Sequence, residues 1–235
     1  MPLTVKLEHL RKVYGNNIAV ADLNVEFYAG HTVTLLGENG AGKSTLLNMM
    51  AGFLAPTSGD VWVMDKNMAD DPVYCKQNIG FLPEGSPLYE DMKVNSFLSY
   101  MAELKSATKK DVNSVIKMAN LEDVRNVRID TLSKGYRRRV GFAVSLLGNS
   151  PILLLDEPTD GLDPNQKAHL LGLIDDMSKE KTIIISTHLL DEAASVADRI
   201  LIMHKGIIKM DGDLESILKR TSTISLENAF IKLTR

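Results

Sequence analysis

Nine consecutive residues near the start of the chain have the types and spacing of a phosphate-binding loop. They are a glycine, four further residues, Gly-Lys-Ser and a threonine, and they read Gly37, Glu38, Asn39, Gly40, Ala41, Gly42, Lys43, Ser44 and Thr45. Glycines allow backbone N–H groups to approach phosphate oxygens at distances that a Cβ would obstruct. Lys43 has the charge and reach to contact the β and γ phosphates, and the hydroxyl of Ser44 could bind Mg²⁺. The loop therefore predicts a nucleotide site that uses Mg²⁺.

Two acidic residues follow a run of four apolar residues later in the chain. Residues 152–155 read Ile-Leu-Leu-Leu, which is typical of a parallel strand buried on both faces, and Asp156 and Glu157 come next. Ligands of open α/β sheets bind at the carboxyl ends of the strands. At that position Asp156 is suited to hold Mg²⁺ through water, and Glu157 is suited to polarise an attacking water molecule.

A third segment, residues 131–136, predicts the start of a helix with free backbone N–H groups. It precedes apolar residues at helical spacing, namely Val140, Ala143, Val144 and Leu147. Ser133 is a suitable N-cap, and Gly135 leaves the N–H groups of the first turn accessible to an anion. On these residues alone, a second anion site and an ordinary capped helix are equally good interpretations.

The order of the periodic segments predicts an α/β fold that could position these three segments. Strands are predicted at 5–8, 23–27, 61–64, 79–82, 152–155 and 182–186, and a helix is predicted at 44–51. Residues from about 86 to 147 form a helical insert in this interpretation, and residues 213–235 form a short helical extension. We expect one domain over residues 1–235, with a central parallel sheet preceded by antiparallel β segments.

Composition and charge limit the classes of function. The 235 residues carry a formal net charge of −3, without the basic excess of a nucleic-acid-binding protein. The single Cys75 excludes an internal disulfide and a zinc site of several thiolates, which fits a reducing, cytosolic compartment. Residues 1–10 lack the apolar core of a signal peptide, and no stretch approaches the ~20 apolar residues of a membrane span. We expect no nucleic-acid partner and no membrane pore formed by this chain.

These segments and two shorter ones resemble the ATP-binding subunit of ABC (ATP-binding cassette) transporters, over nearly the whole chain. Residues 37–45 are similar to Walker A, residues 152–157 to Walker B, and residues 132–136 to the signature Leu-Ser-Gly-Gly-Gln. Residues 160–163 are similar to the loop that follows Walker B. Thr187 and His188 follow a predicted strand, as the switch histidine of the family does. Five motifs in the family's order make the resemblance specific.

The resemblance implies an ATPase with a P-loop NTPase core that works as a homodimer. In the family, two copies meet head to tail and enclose ATP and Mg²⁺ between them. Tyr14 would stack on adenine, Glu157 would act on water, and His188 would contact the γ-phosphate. Ser133 and Gly135 would face the ATP held by the other copy. The implied partner is a separate transmembrane permease, so the chain would act at the cytoplasmic, inner face of the cell membrane.

Glu84 is the clearest departure from the family pattern. It follows the strand predicted at 79–82, where the Q-loop of the family usually has Gln. A carboxylate there could join Ser44 and Asp156 as a ligand of Mg²⁺. Three carboxylates, those of Glu84, Asp156 and Glu157, are then expected to converge near one Mg²⁺ and a triphosphate, while a Glu84 that only points to solvent is the alternative.

Three further departures lie in or after the signature. Lys134 replaces its central Gly, Tyr136 replaces its final Gln, and Arg138 stands where Gln is frequent. Together with residues 82–89, this segment resembles bacterial ABC exporters of the multidrug, gliding-motility and polysaccharide type. Export is therefore the expected direction, and the sequence does not identify the cargo.

Two other classes of nucleotide-dependent protein fit the sequence less well. A soluble ABC ATPase that acts on ribosomes usually has two cassettes, and one that acts on DNA has long coiled coils or zinc modules. This chain has one cassette, no sustained heptads and one Cys. A P-loop GTPase or small-molecule kinase is disfavoured by the signature and the switch histidine, and the guanine-reading motif Asn-Lys-x-Asp is absent.

Overall fold

The computed structural model describes residues 1–235, and its strands form two sheets. The first sheet contains β1 (Leu3–Tyr14), β2 (Asn17–Tyr28), β4 (Ser58–Val63) and β5 (Lys66–Asn67). Its order is β2-β1-β4-β5, and every neighbouring pair is antiparallel. This sheet contains the antiparallel segments that the sequence predicted, with longer strands than the alternating residues alone indicated.

The second sheet contains six strands and is parallel except at one edge. Its strands are β3 (His31–Leu36), β6 (Ile79–Leu82), β7 (Ile152–Asp156), β8 (Thr182–Thr187), β9 (Arg199–His204) and β10 (Ile207–Gly212). They lie in the order β10-β9-β3-β8-β7-β6, and only the β9–β10 pair is antiparallel. The central parallel sheet is therefore confirmed, whereas the hairpin of β9 and β10 was not predicted.

Nine α-helices surround the sheets. They are α1 (Lys43–Met50), α2 (Pro72–Gln77), α3 (Val94–Leu104), α4 (Lys109–Met118), α5 (Lys134–Leu146), α6 (Pro164–Ser178), α7 (Leu190–Val196), α8 (Leu214–Thr221) and α9 (Leu226–Thr234). Helices α3, α4 and α5 lie within the segment read as a helical insert, and α8 and α9 lie within the C-terminal extension. None of these helices combines the length and apolar character that crossing a bilayer would require.

The apolar core lies on both faces of the parallel sheet. Along β7, Ile152 and Leu154 pack with the antiparallel sheet and α1, while Leu153 and Leu155 pack with α3, α5 and α6. All four side chains are fully buried, which explains why this strand is uniformly apolar instead of alternating. A smaller apolar core joins α7, α8 and α9 to side chains of β3 and β9 in the parallel sheet.

Strand order determines which loops meet at the functional edge. Because β3, β8, β7 and β6 are neighbours and parallel, their carboxyl ends lie side by side. In register, Leu36 is opposite Thr187, and Ser186 is opposite Asp156. The segments that follow these strands are the phosphate-binding loop, His188, Glu157 and the turn that carries Glu84. Ligands of open parallel sheets bind at this edge.

Candidate nucleotide-binding and hydrolysis site

The loop between β3 and α1 surrounds the ammonium group of Lys43. Nζ of Lys43 donates hydrogen bonds to the carbonyl oxygens of Gly37, at 2.7 Å, and Glu38, at 3.2 Å. It also lies 3.7 Å from a carboxylate oxygen of Glu157. Only 5% of Lys43 is exposed. The cation is therefore held in place by the loop itself, between the start of α1 and the end of β7.

At two positions of the loop, the backbone of a neighbouring strand lies too close for any residue larger than glycine. A Cβ at Gly42, where φ is 104°, would lie 2.3 Å from the carbonyl oxygen of Ala19 in β2. A Cβ at Gly37 would lie 2.6 Å from the carbonyl oxygen of Met203 in β9. Side chains at these positions would displace the loop, because both obstructing atoms belong to backbone. No side chain caps the N-terminus of α1, which leaves its first N–H groups available to an anion.

Asp156 has the oxygen atoms that a hard divalent cation prefers. Its Oδ1 accepts hydrogen bonds from the hydroxyls of Ser44, at 3.2 Å, and of Ser186. Its Oδ2 is buried and has no hydrogen-bond partner. An unpartnered buried carboxylate oxygen is costly, so a ligand at this atom is expected. The pair of Ser44 and Asp156 therefore fits Mg²⁺, bound directly or through its water.

Glu157 is fixed at the end of β7 by its backbone and by His188. Its φ is 49°, a left-handed conformation that costs a non-glycine residue about 1–3 kcal/mol. The N–H of Glu157 donates to the carbonyl and hydroxyl oxygens of Ser186, both at 3.1 Å, which stabilises that conformation. Nδ1 of His188 lies 2.9 Å from the Glu157 carboxylate, whose other oxygen faces Lys43. The carboxylate is thus oriented between two basic groups.

A buried carboxylate ties together the segments that carry Glu157 and His188. Glu192 of α7 is 3% exposed. It accepts hydrogen bonds from the hydroxyls of Thr159 and Thr187, and its carboxylate lies 2.8 Å from Nζ of Lys167. Thr159 follows Walker B and Thr187 precedes His188, so Glu192 holds these two loops against each other.

These groups open into a cleft of about 690 Å³. Its walls include Tyr14, Asn39, Gly40, Gly42, Lys43, Ser44, Thr45, Glu84, Glu157 and His188 from the predicted set, and also Asn17, Ile18, Ala19, Asp160 and Lys205. Tyr14 is 49% exposed at the end of β1, with Nζ of Lys12 lying 5.3 Å from the centre of its ring. Gly37, Glu38, Ala41 and Asp156 do not line the cleft, but the carbonyls of Gly37 and Glu38 bind Lys43, and the fully buried Asp156 accepts a hydrogen bond from Ser44.

Glu84 reaches the rim of the cleft, but the three expected carboxylates do not form a metal cluster. The chain contains no group of three or more His, Cys, Asp or Glu side chains placed to hold a metal ion. The difference follows from burial, since Glu84 is exposed on a turn after β6 whereas Asp156 is fully buried. Any contact of Glu84 with Mg²⁺ would therefore need a bridging water or a bound nucleotide.

Ser133 and Gly135 lie at the start of α5, outside the walls of this cleft. The hydroxyl of Ser133 accepts a hydrogen bond from the N–H of Tyr136 at 3.4 Å, which makes it the predicted N-cap. A Cβ at Gly135 would lie 2.8 Å from the carbonyl oxygen of Gly161. Nζ of Lys134 lies 2.8 Å from a carboxylate oxygen of Asp160. The signature thus packs on the loop after Walker B of the same chain.

The sequence did not identify several residues that organise the site. The sequence predicts Ser186 only as the last residue of a strand, and no local signal shows that its hydroxyl binds Asp156, although it immediately precedes Thr187 and His188. Glu192 is four residues after His188, a proximity in sequence that could have drawn attention to it. Ala19 and Lys205 carried no local signal, because strand packing alone brings β2 and the β9–β10 turn to the loop.

Relatives in sequence include transport proteins of bacteria and mammals. Residues 20–160 match the ABC transporter family. The chain is 32% identical to the uncharacterized ABC transporter ATP-binding protein YxlF of Bacillus subtilis (strain 168), over 93% of this chain and 74% of that protein. It is 36% identical to the phospholipid-transporting ATPase ABCA3 of Homo sapiens over 88% of this chain. The matched segment spans only 13% of the length of ABCA3.

Solved structures give the same family. An ATP-binding subunit of an ABC transporter superposes with a TM-score of 0.91 and 26% identity, over 99% of this chain and 100% of that one. A dimeric ATP-binding cassette in a post-hydrolysis state with ADP and Pi has a TM-score of 0.83 and 27% identity, with coverages of 89% and 98%. A bacterial Atm1-family ABC exporter with bound ATP has a TM-score of 0.83 and 26% identity, over 93% of this chain and 40% of that one.

Both the relatives in sequence and the similar solved structures therefore agree with the fold, with the loop at 37–45 and with the acidic residues at the end of β7. The site has a phosphate loop, a buried carboxylate with a free oxygen and a second carboxylate oriented by a histidine. The chain belongs to the ABC transporter family, as an ATP-binding cassette with the P-loop NTPase fold of an ATPase.

Proposed function

We propose that residues 1–235 form a single cassette domain that binds ATP with Mg²⁺ in this cleft and hydrolyses it to drive a separate membrane permease. The observation that carries the proposal is the meeting of Lys43, Asp156 and Glu157 at one edge of the sheet. Nζ of Lys43 lies 3.7 Å from a carboxylate oxygen of Glu157. Asp156, which directly precedes Glu157, has a buried Oδ2 without a hydrogen-bond partner. A cation, a metal-binding carboxylate and a base are the groups that phosphoryl transfer to water requires.

Each residue has a distinct role in this proposal. Lys43 and the amides of the loop at 37–45 bind the phosphates, and Ser44 with Asp156 holds Mg²⁺, which neutralises phosphate charge when bound. Glu157 polarises the attacking water, and the hydrogen bond from His188 keeps its carboxylate turned toward the cleft. His188 also contacts the γ-phosphate in this arrangement, and Tyr14 offers its exposed ring to adenine.

The proposed working unit is a homodimer arranged head to tail. Ser133 is exposed and lies outside the cleft of its own chain, and Gly135 beside it is packed against the loop after Walker B. The start of α5 is therefore the part of the signature that we propose approaches the nucleotide of a second copy. The dimeric cassettes among the similar structures support two copies. In this arrangement ATP joins the copies, and its hydrolysis allows them to separate.

Gly135→Asp is expected to abolish the closed dimer while ATP binding to the monomer survives. A carboxylate at this position would add a negative charge at the start of α5, close to where the γ-phosphate of the other copy is proposed to bind, and like charges repel. Gly135→Ala is the matched control, because it adds the same Cβ against the Gly161 carbonyl without the charge. In the wild type, activity per molecule should rise with protein concentration. An Ala variant as inactive as the Asp variant would assign the loss to packing within one chain.

The proposed partner is a transmembrane permease, with export as the direction of transport. Export is supported by the resemblance of residues 82–89 and 132–136 to bacterial exporters and by the similarity to the Atm1-family exporter. The helical insert and the turn of Glu84 are the segments proposed to pass the movement to the permease. The permease would keep the cassette peripheral on the inner face of the cell membrane.

Fractionation of cells tests this partner directly. The chain should sediment with membranes and should co-purify, after mild detergent extraction, with a multi-span membrane protein. An ATPase of the ribosome- or DNA-dependent class would instead follow ribosomes or nucleic acid and would leave the membrane fraction after a salt wash. Recovery with ribosomes alone would replace the transport proposal while leaving the ATPase assignment intact.

Glu84→Ala is expected to raise the Mg²⁺ concentration needed for half-maximal ATPase activity. Glu84 lies on the wall of the cleft, where a carboxylate can bind the hydration shell of Mg²⁺. Glu84→Gln restores the usual family residue and should retain turnover. Asp91→Asn, which removes a carboxylate that is 98% exposed outside the cleft, serves as the control. Superimposable Mg²⁺ titrations of all four proteins would exclude Glu84 from the metal site.

A further inference from the structure

The guanidinium group of Arg138 is buried behind the two acid-bearing segments of the cleft. Arg138 belongs to the second turn of α5 and is 5% exposed. Its Nη1 donates to the carbonyl oxygen of Pro83 and to the hydroxyl of Ser86, both at 2.8 Å. Its Nη2 donates to the carbonyl oxygen of Asp156. This side chain therefore contacts both the turn after β6 and the end of β7. Because Arg138 belongs to α5, it links these two segments to the helix that begins in the signature, called the signature helix below.

Both contacted segments present an acid to the cleft. Pro83 and Ser86 flank Glu84 in a turn that is closed by a 3.3 Å backbone hydrogen bond between them. The carbonyl of Asp156 belongs to the peptide group that joins it to Glu157. The three hydrogen bonds of Arg138 thus fix the backbone immediately beside Glu84 and Glu157, without contacting either carboxylate.

Close packing of α5 makes this arrangement stiff. Gly141 lies one turn beyond Arg138 on the same helix, and a Cβ there would lie 2.8 Å from the hydroxyl of Ser86. A side chain at position 141 would press on Ser86 and Leu82, so the close approach of the helix to the turn fits a glycine there. Because α5 and the turn that carries Glu84 are in close contact, a shift of α5 is expected to move the turn.

A role limited to stability does not account for Arg138. Burial lowers the pKa of its guanidinium group, although the nearby carboxylates of Asp156, Asp160, Glu157 and Glu84 oppose that change. Its Nε is buried without a partner. Buried charges that lack a carboxylate partner are expensive, and apolar replacements are often more stable. The guanidinium group of Arg138 is therefore unfavourable for stability, although it lies beside the segments that carry Glu84 and Glu157.

We propose that Arg138 is a positioning residue, which sets the spacing of Glu84 and Glu157 and couples both to the signature helix of the same chain. When Ser133 and Gly135 engage the nucleotide of a second copy, movement of α5 would reach the acids of its own cleft through this guanidinium group. The inference rests on the roles proposed above for Glu157 and for the head-to-tail dimer.

Three substitutions at this position form the first test. Arg138→Met keeps the length but leaves the carbonyls of Pro83 and Asp156 without a donor, and kcat should fall roughly tenfold or more because displaced catalytic groups lose rate steeply. The Mg²⁺ requirement should rise, whereas KM for ATP should change by less than about twofold because Arg138 does not touch the phosphate loop. Arg138→Gln can donate to one carbonyl and should recover most of kcat, while Arg138→Lys should lie between the two.

Arg139→Lys is the matched control for disturbance of a buried cation in α5. Arg139 is 7% exposed and donates to the carbonyls of Ala119 and Asn120, just after α4, and to neither of the acid-bearing segments. It should lower the melting temperature with kcat per folded molecule unchanged. If the variants at positions 138 and 139 lost kcat in the same proportion to their loss of melting temperature, the proposal would be overturned.

Ser86→Ala provides a second test that does not depend on the folding of the Arg138 variants. It removes one acceptor of Arg138 and should raise the Mg²⁺ requirement and lower kcat a few-fold. In the Arg138→Met background the same change should have almost no effect, because contacting residues are not additive. Additive effects, or a Ser86→Ala protein with wild-type kinetics, would overturn the proposal.

The Glu157 variant separates this inference from the function on which it rests. If Glu157→Gln abolishes turnover but every Arg138 and Ser86 variant behaves like the wild type, only the positioning role fails. If Glu157→Gln retains turnover, the catalytic role of Glu157 fails, and the coupling proposed through Arg138 fails with it.

Discussion

Glu157→Gln is expected to leave ATP binding intact and to reduce turnover by a factor of about 10² to 10⁴, the range typical for a lost general base. The carboxylate lies 3.7 Å from Lys43 and 2.9 Å from His188, and its backbone is held in a left-handed conformation by Ser186. Gln has the same shape and can keep the contact with His188, but its amide is not basic. The loss should therefore appear in kcat, measured with ATP affinity by calorimetry.

The same variant should accumulate ATP-bound dimers in size-exclusion chromatography, because nucleotide that is not hydrolysed continues to join the two copies. Glu90→Gln is the matched control, since Glu90 is exposed, pairs with Arg137 and lies outside the cleft. Its turnover should equal that of the wild type. Substantial turnover by the Glu157 variant would remove this residue from catalysis and leave the base to be sought elsewhere.

Lys43→Ala is expected to weaken ATP binding and hydrolysis together, in contrast to the Glu157 variant. Lys43 is buried in its own loop, so its ammonium group is already positioned where the phosphates are expected. A lost charge-assisted hydrogen bond costs about 1.5–3 kcal/mol, which corresponds to roughly 10- to 100-fold in affinity. Isothermal titration calorimetry with ATP measures the loss in affinity, and the ATPase rate measures the loss in hydrolysis.

Lys209→Ala is the control for that experiment, because Lys209 is exposed on β10 and lies outside the walls of the cleft. It should bind and hydrolyse ATP like the wild type. Equal ATP affinity for the Lys43 variant and the wild type would contradict the assignment of residues 37–45 as the phosphate loop. The pair of Lys43 and Glu157 variants thus separates binding from chemistry in one cleft.

Local sequence patterns determined the chemical groups of the site. The order of glycines before Lys43 and Ser44, and the apolar run before Asp156, specify a loop and a strand end through backbone preferences over a few residues. The uniform apolar character of residues 152–155 also predicted burial on both faces, and in the structure alternate side chains enter two different cores. These features could be read directly because neighbours in sequence determine them.

The hairpin of β9 and β10 shows where local patterns were insufficient. Residues 200–203 form an apolar run of four between Arg199 and His204, and such a short run does not distinguish strand from helix. Only pairing with β3 makes it a strand. The turn at Lys205 then reaches the cleft, and Gly206 accepts a hydrogen bond from Ala21 of β2.

The sequence alone thus determined the order of the residues suited to phosphate, metal and base chemistry, while the tertiary structure decided how they meet. Strand order brings the ends of β3, β8, β7 and β6 together, and it places the hydroxyl of Ser186 on Asp156 and His188 on Glu157. Helix packing buries Arg138 behind both acids. The expected cluster of three carboxylates does not form, because the burial of Asp156 and the exposure of Glu84 depend on contacts with distant parts of the chain. Such contacts join residues 30–112 positions apart, a separation at which local periodicity carries no information.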